Sequence, residues 1–435
     1  MPDNAPLRIV QLTPGAGKMY CGACLRDNAL VAALRRLGHS VVMAPLYLPL
    51  TLDEENQSSG APLFYSGINV YLDQLSPAFR RAPDWLHRLL ASPSLLKLAS
   101  GAAAGTRAEH LGELTLSMLR GEDGNQAREL DELIRWLKVE KPGVVCLSNA
   151  LLIGMAGKIR RELRVPVLCS FQGEDGFLDL LPEPHRKNAW QTLAARAADV
   201  DLFIAPSRYF GALMGRRLKI APARIKILFN GINLAGFDPA QPRELVLGYF
   251  ARLCREKGLD QLVAAFLRLK KRPHLQNLKL RVGGSCGPAD QPIVDALRND
   301  IAAAGVLADV EFCPNLSRLE KQAFLRSLSV FSVPATYGEA YGLYVIEAMA
   351  SAVPVVQPDH AAFPELIAAT GGGILVPPNN QSALADGLEL LLSDPPRARA
   401  LGDAGRAAVS AQFNMNTMAQ QMVQICRDAA LNFPS

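Results

Sequence analysis

No run of roughly 18 apolar residues occurs in the 435-residue sequence, so no membrane-spanning helix is expected. The opening, Met1-Pro-Asp-Asn-Ala-Pro, has neither a basic start nor an apolar stretch ending in small residues, and no secretion signal is read there. Long blocks of one charge are missing too. With 46 Lys and Arg against 41 Asp and Glu, the net charge of +5 is mild, which disfavours nucleic acid as a partner. Cysteine is sparse: its eight residues are scattered, and Cys146 and Cys169 fall in apolar strand-like runs, the usage of reduced cysteines in a cytoplasmic protein. Hydrophobic residues are plentiful, at 49%, and a chain too long for one core has enough of them for two.

Short β-rich apolar runs alternate with amphipathic helical stretches, the pattern of a parallel sheet wrapped by helices. Strands are expected at 7–13, 41–46, 143–148, 165–171, 200–205 and 225–229, with a helix at 25–37 that carries Leu30, Ala33, Leu34 and Leu37 on one face. After the proline-bearing stretch Phe237-Asp-Pro-Ala-Gln-Pro the alternation restarts, with strands at 245–250, 278–283, 309–313, 329–334, 353–357 and 373–376. The expected domains are therefore 1–240 and 243–411, with a final helix at 414–431 returning to the first. Two doubly wound units in succession put a cleft between the carboxyl ends of two sheets, where ligands of open α/β sheets bind.

Residues of about 48–125 interrupt the first unit without a clear strand pattern. Within 79–98, Arg80, Arg81, Arg88 and Lys97 accompany Trp85, Leu86, Leu89 and Leu90. A helix packed on the first domain is the plainer reading. Peripheral contact with an anionic membrane, on its inner face, or with a lipid-linked acceptor is the sharper one.

The most informative stretch runs from Pro334 through Gly338-Glu-Ala-Tyr-Gly-Leu to Glu347 and on to Val356. A strand is expected to end near Pro334 and a helix to begin near Gly342, so the turn between them offers free N–H groups and the positive end of a helix dipole. Glu339 falls in that loop and Glu347 about one turn inside the helix. One carboxylate can accept hydrogen bonds from sugar hydroxyls and the other from a ribose diol; both would repel phosphate and so flank it. The plain alternative for Glu347 is a surface helix residue. A second constellation, Gly248-Tyr-Phe-Ala-Arg-Leu-Cys-Arg-Glu-Lys-Gly, places Arg252 and Lys257 on a solvent-facing strand-to-helix loop. The planar fork of Arg and the compact charge of Lys suit a diphosphate. Two solvated loop cations are the plain alternative.

Taken in chain order, the Arg252 stretch before the Glu339 stretch, the two motifs resemble those of the retaining family-4 glycosyltransferases, also called glycosyl transferases group 1. Glu339 and Glu347 match that family's Glu-x7-Glu motif, and Arg252, Lys257 and Gly258 its Arg-x4-Lys-Gly diphosphate clamp. The likeness extends to Ala205-Pro-Ser-Arg, Leu228-Phe-Asn-Gly-Ile, Pro364-Glu-Leu-Ile and Gly373-Ile-Leu-Val-Pro, nearly the whole chain outside 48–125. It implies an α/β fold of GT-B architecture, two Rossmann-like doubly wound domains facing a central cleft, with acceptor held mainly by the first and nucleotide sugar by the second. On that resemblance Arg252, Lys257 and Glu339 are the expected catalytic residues. Glu347, Tyr341, Gly342 and Leu343 are expected to bind the donor, helped by Gly17 and Gly22 of the first loop. No cofactor and no metal are implied; the nucleotide sugar is a substrate.

The first loop, Thr13-Pro-Gly-Ala-Gly-Lys-Met-Tyr-Cys-Gly-Ala-Cys, fails as a dinucleotide fingerprint because Tyr20 stands where the third glycine belongs. It fails as a Walker loop because Leu12 and Met19 stand where Gly and Ser or Thr are needed. Cys21 and Cys24 lack further close ligands for zinc, and a packing role at a helix start is favoured over a redox pair. The family commonly places a His after the strand at 165–171, near the acceptor. Here the loop reads Ser170-Phe-Gln-Gly-Glu-Asp-Gly, with Gln172 at about that place and Glu174 and Asp175 as the neighbouring acceptor-side candidates.

Transfer of a hexosyl group from a UDP-, GDP- or ADP-linked donor is the function the resemblance implies, with retention and without metal, to a saccharide, lipid-linked or small-molecule acceptor. A nucleotide-sugar epimerase of the same architecture and a non-catalytic sugar-nucleotide-binding subunit are the rivals. An oxidoreductase is disfavoured, since neither half has a proper dinucleotide loop.

Overall fold

Val, Ile and Leu fill the short apolar runs, and the central runs become parallel strands buried on both faces, as helices on either side of a sheet require. Three of the four edge strands stay partly exposed. The computed structural model describes residues 5–15, 22–76, 79, 108–240 and 242–434. Its contacts divide the chain into one unit of Met1–Phe229 with Met418–Ser435 and a second of Asn230–Thr417. The division falls before the proline-bearing stretch because that stretch is bonded into the second unit. Arg318 Nη2 donates to the Asn233 carbonyl (3.1 Å), Gln322 Nε2 to that of Ala235 (2.8 Å) and Arg406 Nη1 to that of Phe237 (2.7 Å).

In the first unit, β1 (Arg8–Pro14), β2 (Ser40–Leu46), β3 (Val144–Leu147), β4 (Val167–Ser170), β5 (Leu202–Ala205) and β6 (Ile225–Ile227) form one parallel sheet in the order β2-β1-β3-β4-β5-β6. Leu12 of β1 lies opposite Ala44 on one side and Leu147 on the other. Helix α1 (Gly22–Arg36) begins three residues before the expected start. The 48–125 stretch contains α2 (Gly67–Leu75) and α3 (Ala108–Arg120), and the segment 80–98 lies outside the described residues. Helices α4 (Ala127–Glu140), α5 (Ala156–Leu163), α6 (Glu174–Asp179), α7 (His185–Arg196) and α8 (Arg208–Leu218) follow.

The second unit repeats the plan. Strands β7 (Val246–Phe250), β8 (Lys279–Gly284), β9 (Val310–Pro314), β10 (Val330–Phe331), β11 (Val355–Pro358) and β12 (Gly373–Val376) run parallel in the order β12-β11-β10-β7-β8-β9. Between them lie α9 (Leu259–Leu269), α10 (Gln291–Ala303), α11 (Arg318–Arg326), α12 (Leu343–Ala350), α13 (Phe363–Thr370) and α14 (Gln381–Leu392), then α15 (Pro395–Gln412). Leu259, Leu262 and Phe266 bury one face of α9; complete burial of such a side chain contributes about 1.5–3 kcal/mol. The last helix, α16 (Met415–Leu431), groups with the first unit from Met418 onward. The strand expected at 329–334 shrinks to two residues. Pro334 has no N–H for the ladder, and the Ala335 N–H turns back to the Val333 carbonyl (2.8 Å).

Strand order reverses between β7 and β10, so the chain leaving each strand's carboxyl end emerges side by side with the other. These are the two loops that hold the sequence motifs.

Candidate functional site

Gly258 explains how the two loops meet. Its φ of +71° lies in the left-handed region, and a Cβ there would sit 1.9 Å from the Pro334 carbonyl oxygen. Any side chain would push the loop after β7 away from the chain after β10. With glycine present, Lys257 comes against Glu339, 82 residues further on.

Lys257 is not the solvated cation that a loop position suggests. Its side chain is 19% exposed and forms an ion pair with Glu339 Oε2, whose side chain is 11% exposed. Lys257 Nζ also donates to the Tyr337 hydroxyl (2.6 Å), and lies 4.9 and 5.3 Å from the ring centroids of Tyr337 and Tyr344. The Tyr337 and Tyr344 hydroxyls both donate to the same Glu339 Oε2, at 3.0 and 2.7 Å. Three donors therefore converge on one carboxylate oxygen, and among the described residues none reaches Oε1. An ammonium has three N–H groups, so Lys257 keeps one beyond those given to Glu339 and Tyr337. Burial alone would raise the Glu339 carboxyl; the charge of Lys257 and the hydrogen bonds outweigh it and hold the pKa below the ordinary value. Burial likewise works against the Lys257 charge, but Glu339 and Tyr337 prevail and raise its pKa.

Arg252 remains 58% exposed at the side chain, held on one edge by Asp290 through Nε (3.1 Å to both oxygens) and Nη2 (2.9 Å). That bonding raises the guanidinium pKa further and leaves Nη1 without a protein partner among the described residues. Glu347 is neither exposed nor alone: it accepts from Lys321 Nζ (2.7 Å) of α11. A capping box, Ser317 with Glu320, starts α11 and so places Lys321 one residue later. Gly342, at φ +94°, caps the start of α12. Leu343 is half-buried as its first residue. Tyr341 is buried and donates its hydroxyl to the Asn230 carbonyl (2.7 Å), so its side chain braces the loop.

The first unit treats its candidates differently. Gly17 and Cys21 lie outside the described residues, and Gly22 is the exposed first residue of α1. Cys24 is buried with its thiol directed at the Pro14 carbonyl (2.7 Å). Nearby, Asp27 is fully buried and accepts from Thr13 Oγ1 (2.8 Å), Gln11 Nε2 (3.3 Å) and Arg26, which pins α1 to β1. Glu174 is buried with both oxygens occupied by main-chain donors: Ala150 N–H (2.8 Å) on Oε1, Gln172 N–H (2.9 Å) and Gly173 N–H (3.1 Å) on Oε2. Its pKa is raised by burial. Asp175 and Gln172 are half-buried, and burial raises the Asp175 carboxyl too.

Sequence reasoning missed Asp290, Lys321, Tyr337 and Tyr344. The tyrosines stood within the motif itself, two residues before and five after Glu339, and a buried carboxylate calls for such donors. Asp290 and Lys321 gave no local signal. Among the described residues no group of three or more His, Cys, Asp or Glu side chains gathers as a metal site, and no helix is long and apolar enough to cross a membrane.

Residues 237–408 match the family model described as Glycosyl transferases group 1, and residues 65–235 the model described as Glycosyltransferase Family 4. The alpha-maltose-1-phosphate synthase of Mycolicibacterium smegmatis is 32% identical over 228 residues, 47% of this chain and 57% of that one. The chain thus spans about half the length of that relative. A GDP-mannose-dependent monoacylated alpha-(1-6)-phosphatidylinositol monomannoside mannosyltransferase of Corynebacterium glutamicum is 28% identical over 326 residues, 69% of this chain and 79% of that one. Among solved structures, HepE of Anabaena in complex with UDP-glucose aligns with a TM-score of 0.66 at 16% identity, covering 97% of this chain and 100% of that one. Identity that low speaks for the fold alone: two Rossmann-like units, the GT-B architecture.

Proposed function

The chain belongs to the group 1 glycosyltransferases, and we propose that it moves a hexosyl group from a nucleoside-diphosphate sugar to a saccharide, lipid-linked or small-molecule acceptor. One observation carries the reading: Glu339 is neutralised on one oxygen by Lys257 and two tyrosines and is left open on the other, at the start of α12. Such a carboxylate can accept from sugar hydroxyls without losing its charge partner. The names of the similar proteins, one dependent on GDP-mannose and one in complex with UDP-glucose, support a nucleotide-sugar donor.

In this reading the remaining N–H of Lys257 and the free edge of Arg252 meet the diphosphate. Negative charge grows there as the sugar bond breaks, so contacts that tighten then accelerate the reaction. Two fixed cations serve where other enzymes use a divalent ion, so no metal is needed. Glu347, steadied by Lys321, accepts from the ribose diol. The family resemblance implies a front-face displacement with retention, the leaving phosphate taking the acceptor proton. It also implies that the first unit binds the acceptor, and the loop bearing Gln172 and Asp175 is its candidate there.

The test is a thermal-shift series with UDP, GDP, ADP and their hexose conjugates, in EDTA and then with added magnesium. A bound donor at 100 times its dissociation constant adds about 2.7 kcal/mol of stability. Stabilisation by one nucleotide family in EDTA is the expected outcome; binding or turnover that appears only with added metal would overturn the metal-free reading.

A further inference from the structure

Gly284 ends β8 at a φ of +127°, and a Cβ there would lie 1.7 Å from the Ala251 carbonyl oxygen, so glycine lets the chain leaving β8 approach the chain leaving β7 this closely. The turn that follows is bonded to its neighbours. The Leu253 N–H donates to the Ser285 carbonyl (2.9 Å), and the Asn315 side chain, after β9, exchanges two hydrogen bonds with the main chain of Cys286 (3.0 and 3.1 Å). At the end of this turn Asp290 is the capping residue of α10, where an aspartate ordinarily accepts from the first N–H groups of its own helix. Asp290 makes no such bond. Its carboxylate, 7% exposed, accepts from the Gly287 N–H (3.1 Å) on Oδ2 and takes the Nε and Nη2 edge of Arg252, a side chain 58% exposed. A buried acid that forgoes its own helix to hold a half-solvated guanidinium points to a need for that guanidinium's orientation.

We propose that Asp290 is a positioning residue of the donor site: it fixes the Arg252 fork so that the free edge meets the diphosphate as the nucleotide departs. The inference rests on the donor reading above. A long Arg side chain in water samples many rotamers, and holding it before the ligand arrives removes that ordering cost from binding and from the bond-breaking step. The planar guanidinium allows Nε and Nη2 to be tied while Nη1 stays free, which the single ammonium of a lysine does not. Asp290 itself touches neither sugar nor phosphate, because its charge would repel the diphosphate; it acts through Arg252.

Calorimetric titrations with UDP, UDP-glucose, GDP and GDP-mannose compare wild type, Asp290→Ala, Asp290→Asn, Arg252→Ala and the double variant of Arg252→Ala with Asp290→Ala. Above the last phosphate pKa, about 6, a free nucleoside diphosphate carries at its terminal phosphate the charge that grows during transfer, and its sugar conjugate does not. Asp290→Ala should therefore weaken binding of the nucleotide about tenfold and of the conjugate about threefold, up to the loss of one charge-assisted hydrogen bond. Asp290→Asn, which keeps an acceptor for Nε, should bind the nucleotide within about threefold of wild type. In the Arg252→Ala background, Asp290→Ala should change affinity less than about twofold, because the residue it acts through is gone. The same loss in both backgrounds marks a role in loop shape and overturns the inference. So does unchanged or tighter nucleotide binding by Asp290→Ala, the sign that Arg252 needs no holding or is held back from the donor. If the wild-type protein binds none of the four probes, the donor reading itself has failed and takes this one with it.

Discussion

Glu174 and Glu339 are both buried carboxylates just beyond the carboxyl end of a parallel strand, one in each unit, yet they are satisfied in different ways. Main-chain N–H groups fill both oxygens of Glu174. Glu339 is held by side chains on one oxygen only. Their pKa values move in opposite directions: burial dominates at Glu174, while the ammonium of Lys257 overrides burial at Glu339. A carboxylate saturated by backbone works as a brace for its loop. One neutralised by a neighbouring cation, with an oxygen to spare, is ready for a ligand.

The sharpest way to break this contrast is through the cations. Arg252→Ala and Lys257→Ala should each lower turnover on the order of 100- to 1000-fold at saturating acceptor, as loss of a transition-state donor does. Only Lys257→Ala should also destabilise the protein, by about 3–5 kcal/mol, because it strands the Glu339 charge. Arg252→Lys should lose turnover as well, since the fork is gone while the charge stays. Turnover within about threefold of wild type, far from that expected loss, would place the diphosphate elsewhere. Comparable stability of Lys257→Ala and wild type in urea would mean that Glu339 does not depend on its partner.

Glu174→Ala tests the other half of the contrast. It leaves three main-chain donors unmet and should cost about 1–3 kcal/mol in urea unfolding, with nucleotide affinity unchanged. Should Glu174→Gln keep full stability but lose turnover, Glu174 would be an acceptor-side group rather than a brace.

pH separates the pair by sign. Glu174 has a folded pKa above its ordinary 4.5, so the native state binds the extra proton and stability falls as pH rises from about 4.5 through the elevated value. Glu339 has a folded pKa below 4.5, so its contribution is present above 4.5 and is lost as pH falls through the lowered value. Melting profiles of Glu174→Gln and Glu339→Gln against wild type should differ on opposite sides of pH 4.5. Parallel profiles would contradict the assigned causes.

The smallest effect is expected at Gln172. Gln172→Ala should weaken acceptor use about threefold to tenfold, one neutral hydrogen bond, and Gln172→His should be tolerated. Wild-type kinetics in both variants would remove this loop from the acceptor side.

Much of the fold was legible because its signals are local. Twelve apolar runs became twelve strands among the described residues; several came out shorter than expected, and the shortest, β10, stops shortly before a proline that any reader could have marked. The site was legible only as residue types. Arg252, Lys257, Glu339 and Glu347 stood out by spacing, but the plain alternative of a solvated cation does not hold for Lys257, and nothing local says that a chain segment 82 residues later will cover it. Asp290 and Lys321 were two ordinary charges until the fold set them beside Arg252 and Glu347.

The sequence by itself determined the alternation of strand and helix, the glycine at 258, and which loops carry charge. Each follows from periodicity or from one residue's backbone freedom. Tertiary structure alone decided which charges meet: the reversal of strand order between β7 and β10 brings two distant loops to one edge, and the burial it creates makes Glu339 depend on Lys257. Pairing energies arise only once solvent is excluded, and exclusion is a property of the packed sheet and helices, not of any stretch of chain.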